Sequence, residues 1–216
     1  MAMPALLESD KMIKYKGKLK TIKELPENTL PKGAVRFKEP KTLWGLVFAS
    51  LPFSCLACGI NCLIVLGINE IEINDIDKMM FNPYGFLIFL FTMMIHEMIH
   101  ALAYPLNSEV QIFMLPNMRG MCVWSKAAIS KVRYIYMSLM PYFVLSVLPA
   151  ICMYFVQLNG LRKQLFIGYL SYSGLSCGGD FLNVFNALIQ MPRKSKEVLN
   201  KMNSYWFIEG KNESSN

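Results

Sequence analysis

The chain has 216 residues, 54% of them hydrophobic and 17% charged, with a mean hydropathy of +0.32. Together with several long uncharged stretches, that balance excludes an ordinary soluble domain and points to an integral membrane protein. The formal net charge of +7 does not call for nucleic acid, because the basic residues cluster beside the ends of the apolar stretches, where anionic lipid attracts them.

The first 41 residues hold ten Lys or Arg and lack a short apolar core with a small-residue cleavage site. Residues 1–41 are therefore expected to form a basic segment that stays cytoplasmic rather than a removable secretion signal. Between residues 13 and 21, Lys14, Lys16, Lys18 and Lys20 alternate with Ile13, Tyr15 and Leu19. This period of two predicts a strand, suited to adhesion at a lipid surface.

Four apolar stretches follow, at residues 42–68, 83–105, 134–157 and 164–191, each long enough to cross a hydrocarbon core of about 30 Å. The expected fold is an all-α membrane protein: a bundle of four transmembrane helices over residues 42–191, then a cytoplasmic tail over 192–216. The loop charges orient it. Glu70, Glu72, Asp75 and Asp77 outnumber Lys78 after the first span, whereas Arg119, Lys126, Lys131 and Arg133 follow the second and Arg193, Lys194, Lys196 and Lys201 follow the fourth. Both termini then face the cytoplasm, with Arg162 and Lys163 between spans three and four as a mild exception.

The second span contains His96-Glu97-Met98-Ile99-His100, and these are the chain's 2 histidines. One helical turn apart, both imidazoles point the same way and can bind one Zn2+, while Glu97 projects beside them to act on a metal-activated water. The competing explanation is polar residues hydrogen-bonding a neighbouring helix, which fits a lone His better than a Glu between two.

A catalytic zinc usually takes three protein ligands, so a third must come from elsewhere. Within the four spans the acidic side chains are Glu97 and Asp180, and an intramembrane carboxylate costs at least about 2.5 kcal/mol unless partnered. If spans two and four run in the same direction, His96 and Asp180 lie about 20 Å and about 24 Å from the outer face at 1.5 Å per residue, matching depths about two-thirds of the way to the cytoplasm. Gly178 and Gly179 let the fourth helix approach the second closely or bend locally. Asn183, one turn after Asp180, is a candidate to hold a ligand or a substrate carbonyl, or else to bond a neighbouring helix. Water must reach such a site, so a polar cavity opening towards the cytoplasm is expected.

After the second span, residues 109–115 and 121–125 flank Pro116-Asn-Met-Arg-Gly120, predicting a short β-hairpin whose edge could receive an unwound substrate as a further strand, or which only caps the bundle. Pro141 and Pro149 predict a kink in the third span. The six cysteines, at 55, 58, 62, 122, 152 and 177, fall mostly within spans, lack the spacing of a disulfide framework and read as small buried hydrophobes. Cys55-Leu-Ala-Cys58 has no second pair to complete a zinc or redox site. Tyr205, Trp206 and Phe207 suit an interfacial anchor on a basic surface helix from Lys194 onward, or packing against the bundle's inner end.

His96-Glu97-x-x-His100 in one span, followed by Gly178-Gly179-Asp180 in a later one, resembles the zincin peptidase family of small bacterial membrane proteins. It is distantly similar to the intramembrane site-two proteases, which pair an embedded H-E-x-x-H with an aspartate from a later helix. The likeness covers roughly residues 42–190. It implies His96, His100 and Asp180 as zinc ligands, Glu97 as catalytic base, and hydrolysis of peptide bonds in membrane-bound or membrane-adjacent substrates. Gly-Gly-Asp-Phe-Leu-Asn departs from the proline-containing segment of the site-two proteases, which leaves the third ligand open. Two other classes remain: an inactive zincin-like protein that binds membrane partners, and a small ion or proton transport component whose path His96, Glu97, His100 and Asp180 would line. The expected partners are the lipid bilayer and a membrane protein or peptide substrate; oligomeric state is not legible.

Overall fold

The computed structural model describes residues 12–69, 82–115, 120–156 and 160–209. The acidic loop after the first span and residues 116–119 of the expected turn lie outside them. Strand β1 (Met12–Lys18) forms where the alternating lysines predict one, and a short strand β2 (Val35–Arg36) precedes the helices.

Helix α1 (Leu43–Asn69) starts where the Thr42 hydroxyl accepts the Gly45 N–H at 3.1 Å. Helix α2 (Pro83–Ala103) starts at Asn82, whose side chain accepts the N–H of Tyr84 and of Gly85, with Pro83 at the first helical position. An asparagine cap followed by proline is a strong helix start, since the cap satisfies orphan donors and proline has none to lose. At the other end Pro105 cannot continue the helix. Arg133 donates to the helix-end carbonyls of Ala103 and Tyr104 at 2.6 and 3.0 Å.

Strands β3 (Glu109–Leu115) and β4 (Gly120–Ser125) pair antiparallel from Val110↔Ser125 to Leu115↔Gly120, as the hairpin expectation has it. A two-residue strand β5 (Ile129–Ser130) leads into α3 (Lys131–Tyr142), capped by the Ser130 hydroxyl on the Arg133 N–H. A π-helical turn over Phe143–Val147 joins α3 to α4 (Leu148–Val156). The disturbance follows Pro141, which lacks a backbone donor and crowds the carbonyl four residues earlier.

The fourth apolar stretch is not one helix. It divides at Cys177 into α5 (Gly160–Ser176) and α6 (Gly178–Gln190). Three stretches among the described residues are long and apolar enough to cross a membrane, Trp44–Gly67, Pro83–Ala103 and Lys131–Met153; the fourth expected span is a broken pair of helices rather than one continuous one. The expectation of an all-α chain also needs correction, because the helices are joined by two sheets. One runs β1-β3-β4, with β1 parallel to β3 and β4 at its edge. The other is formed by β2, β7 (Asn203–Ile208), β6 (Ser195–Asn200) and β5 in that order, all antiparallel.

Strands β6 (Ser195–Asn200) and β7 (Asn203–Ile208) occupy the tail, where a basic surface helix was expected. The physical reason lies in burial. Ser195, Glu197 and Val198 on β6, and Ser204 and Phe207 on β7, turn inward, so the aromatic cluster contributes to a sheet. A core of Phe37, Ala101, Tyr104, Val110, Ile129, Tyr134, Ala187 and Met191 locks both sheets onto the ends of α2, α3 and α6. Between the helices, buried Asn61 donates to the Leu170 carbonyl at 2.8 Å and accepts from the Tyr142 hydroxyl at 2.9 Å, the kind of polar contact that joins helices where apolar packing gives no preference over lipid.

Candidate metal centre

Helical spacing brings His96 and His100 onto one face of α2, with their Nε2 atoms 3.2 Å apart. The carboxylate of Asp180, three residues into α6, completes a triangle: Oδ2 lies 3.2 Å from His96 Nε2 and Oδ1 lies 3.2 Å from His100 Nε2. All three groups are nearly enclosed, with side-chain exposures of 8%, 14% and 12%.

What lies between them follows from their protons. His100 Nδ1 is 3.0 Å from the Met137 carbonyl oxygen, which can only accept, so Nδ1 carries the proton. In the neutral ring Nε2 then presents a lone pair to the lone pairs of Asp180. Lone pairs facing each other in a buried site repel unless a proton on the ring or a metal cation lies between them. Asp180 Oδ2 is also a buried oxygen that accepts no well-aligned hydrogen bond despite the nearby ring.

The separations fit zinc. Ligand atoms about 2.0–2.1 Å from a tetrahedral ion sit about 3.3 Å from one another, and all three distances here are 3.2 Å. Cys177 also faces this point: its Sγ, His96 and Asp180 offer ligand atoms within 4.8 Å of one another. The histidine pair and Asp180 make the tighter set.

The Met137 carbonyl is available for a sequence reason. Four residues on stands Pro141, which has no N–H to close that helical bond. A proline that carried only a kink in the sequence thus leaves a carbonyl to fix a histidine tautomer, the orienting contact typical of metal-bound imidazoles.

Asp180 is held in place by a close approach. A Cβ at Gly178 would fall on the Ser54 hydroxyl and lie 2.8 Å from the Ser50 carbonyl oxygen and 2.9 Å from the Ser54 nitrogen. The helix that Gly178 approaches is therefore α1, not α2 as expected. Gly179 has open space around it.

The triad lines a cavity of about 420 Å³ together with Glu97, Asn183 and Asn186, the β4 residues Met121, Cys122 and Val123, and Glu197 from β6. Glu97, half-buried, also borders an adjoining space of about 240 Å³ lined by Leu90, Met93, Met94, Met114, Gly120 and Met121. Every site residue expected from the sequence, His96, Glu97, His100, Asp180 and Asn183, borders the larger cavity. Sequence reasoning missed the Met137 carbonyl, Cys177 and Glu197. Proline spacing signals the first; nothing local distinguishes the other two.

No curated protein and no solved structure matches the chain. A family model described as "Putative zincin peptidase" matches residues 89–196, half of the sequence and the half that holds the histidines, Glu97 and Asp180. That description points to zinc-dependent peptide hydrolysis, and the chain belongs to this family.

Proposed function

We propose that this protein is a membrane-embedded zinc metallopeptidase that hydrolyses peptide bonds of membrane-bound or membrane-adjacent substrates, with both termini cytoplasmic. The observation that carries the reading is the cluster of His96, His100 and Asp180, three nearly enclosed side chains in which the two Nε2 atoms lie 3.2 Å apart and each lies 3.2 Å from one oxygen of the carboxylate, an arrangement that suits a divalent cation. Membrane insertion is supported by the three apolar helices and by outward residues such as Trp44, Phe91 and Phe155, at 71%, 79% and 76% exposure. Surfaces that apolar suit lipid rather than water.

Zinc, when bound, supplies Lewis acidity to the scissile carbonyl and to water. The chain's own residues do the rest. Glu97 borders the same cavity as the triad and serves as the general base, taking a proton from water and giving it to the leaving amine. Asn183 lines that cavity one helical turn beyond Asp180 and is suited to bond a substrate carbonyl. Among the described residues strand β4 pairs on one side only, and its Met121, Cys122 and Val123 border the cavity. An extended substrate can add there as a fourth strand, held by main-chain bonds whatever its side chains.

Purified protein in detergent should bind one zinc. His96→Ala and Asp180→Ala should each lose it while the protein stays folded, and membrane proteomes from active and Glu97→Gln forms should differ by new peptide ends. Metal-free wild-type protein with intact folding would remove this reading.

Cys177 favours a second reading. Its thiol close to the triad could supply a fourth ligand and close the site, leaving a zinc-stabilised protein that binds membrane partners without cleaving them.

A further inference from the structure

Glu197 has no part in the chemistry just described. It stands on β6 between Ile129 of β5 and Trp206 of β7, is 1% exposed, and borders the same cavity as the zinc triad. Its Oε1 has no hydrogen-bond partner, and no ion pair reaches it among the described residues. The Ser204 hydroxyl bonds the carboxyl group, and Glu39 lies close enough for its charge to be felt. Glu39, Tyr104, Tyr134 and Ser204 border the cavity as well.

A buried carboxylate without a cation is costly, and Glu197 responds as expected. Burial pushes its carboxyl up to about 8, with Ser204 opposing the shift and Glu39 adding to it. Burial also raises Glu39, against the pull of Arg36. Two carboxyl groups facing one cavity, one with a vacant acceptor atom, match a ligand that brings its own positive charge and several donors. Lysine and arginine side chains do both.

We propose that Glu197, assisted by Glu39, forms a subsite that takes a basic side chain, Lys or Arg, of the substrate. This rests on the peptidase reading and specifies its substrate class.

The test uses zinc-loaded full-length Glu97→Gln protein in detergent, so that nothing is cleaved. Fluorescent ten-residue Ala/Leu peptides carry one Lys walked along the sequence, or one norleucine at the same place. Fluorescence anisotropy should show at least tenfold tighter binding of Lys over norleucine at one register. A further Glu197→Gln change should abolish that preference, and Glu39→Gln should reduce it. Equal binding of Lys and norleucine peptides at every register overturns the proposal, as does a preference that survives Glu197→Gln. Should Glu197→Gln fail to fold, an undiminished preference in Glu39→Gln counts against the proposal in its place. Failure of the zinc reading would show separately, as protein that holds no zinc before any peptide is added.

Discussion

Substituting the two neighbouring glycines with alanine separates packing from propensity at the metal site. At Gly178 the new methyl meets backbone atoms of Ser50 and Ser54 at 2.8 and 2.9 Å, besides the Ser54 hydroxyl. Ordinary contact begins near 3.4 Å, so α6 must retreat from α1 by about half an ångström or more, an overpacking that costs about 1–3 kcal/mol. Asp180, two residues on, retreats with it, and ligand distances tolerate only about 0.2 Å. Gly178→Ala should therefore lower both the thermal midpoint in detergent and the zinc content after dialysis against a weak chelator. Ser54→Ala should restore only part of either, because the backbone contacts remain. Gly179→Ala meets open space and should leave stability unchanged or raise it by about 0.5–1 kcal/mol through helix propensity. Equal effects at the two glycines would refute the claim that the α1–α6 contact positions the carboxylate.

Glu97→Gln should keep zinc at wild-type stoichiometry while turnover of any identified substrate falls by about 10²–10⁴-fold; parallel loss of metal would assign Glu97 to binding instead. Pro141→Ala returns an N–H to the Met137 carbonyl that fixes His100, and competitive chelation should then report about 10–100-fold weaker zinc binding. Cys177→Ala should retain both metal and cleavage if three ligands suffice, whereas loss of zinc would support the closed site. Glu197 gives a pH signature: its carboxyl rises from 4.5 to about 8 on folding, so its full stability is present below pH 4.5 and is lost as pH rises towards 8. The slope in that window is at most about 1.4 kcal/mol per pH unit, and thermal unfolding of Glu197→Gln between pH 5 and 8 should lack it.

The candidate metal centre is the most legible part of this sequence. His96, Glu97 and His100 declare themselves by spacing, and Asp180 by being the other acid in the apolar stretches, because charge inside a membrane needs a specific partner. The break at Cys177 was not legible: Gly178 and Gly179 allow a bend or a close contact equally, and only the position of α1 decides. The tail was misread for a related reason. Its lysines suggest a solvated helix, yet Glu197 turns inward on a short strand whose partners, Ile129 and Trp206, come from two other parts of the chain. Helices announce themselves through local periodicity, whereas sheets assembled from distant two- to seven-residue pieces do not.

The strand pairings also fix a parity. The segment before α1 bonds to the segment after α2 through β1 and β3, and the segment after α6 bonds to the one before α1 through β7 and β2. On the membrane reading proposed above, hydrogen-bonded strands cannot lie a bilayer's thickness apart, so each excursion between them is a round trip. If α1 and α2 carry the polypeptide out and home again, then the bent α3–α4 rod and the fractured α5–α6 pair must make an equally closed loop, and the fracture point that aims Asp180 lies on the homeward leg.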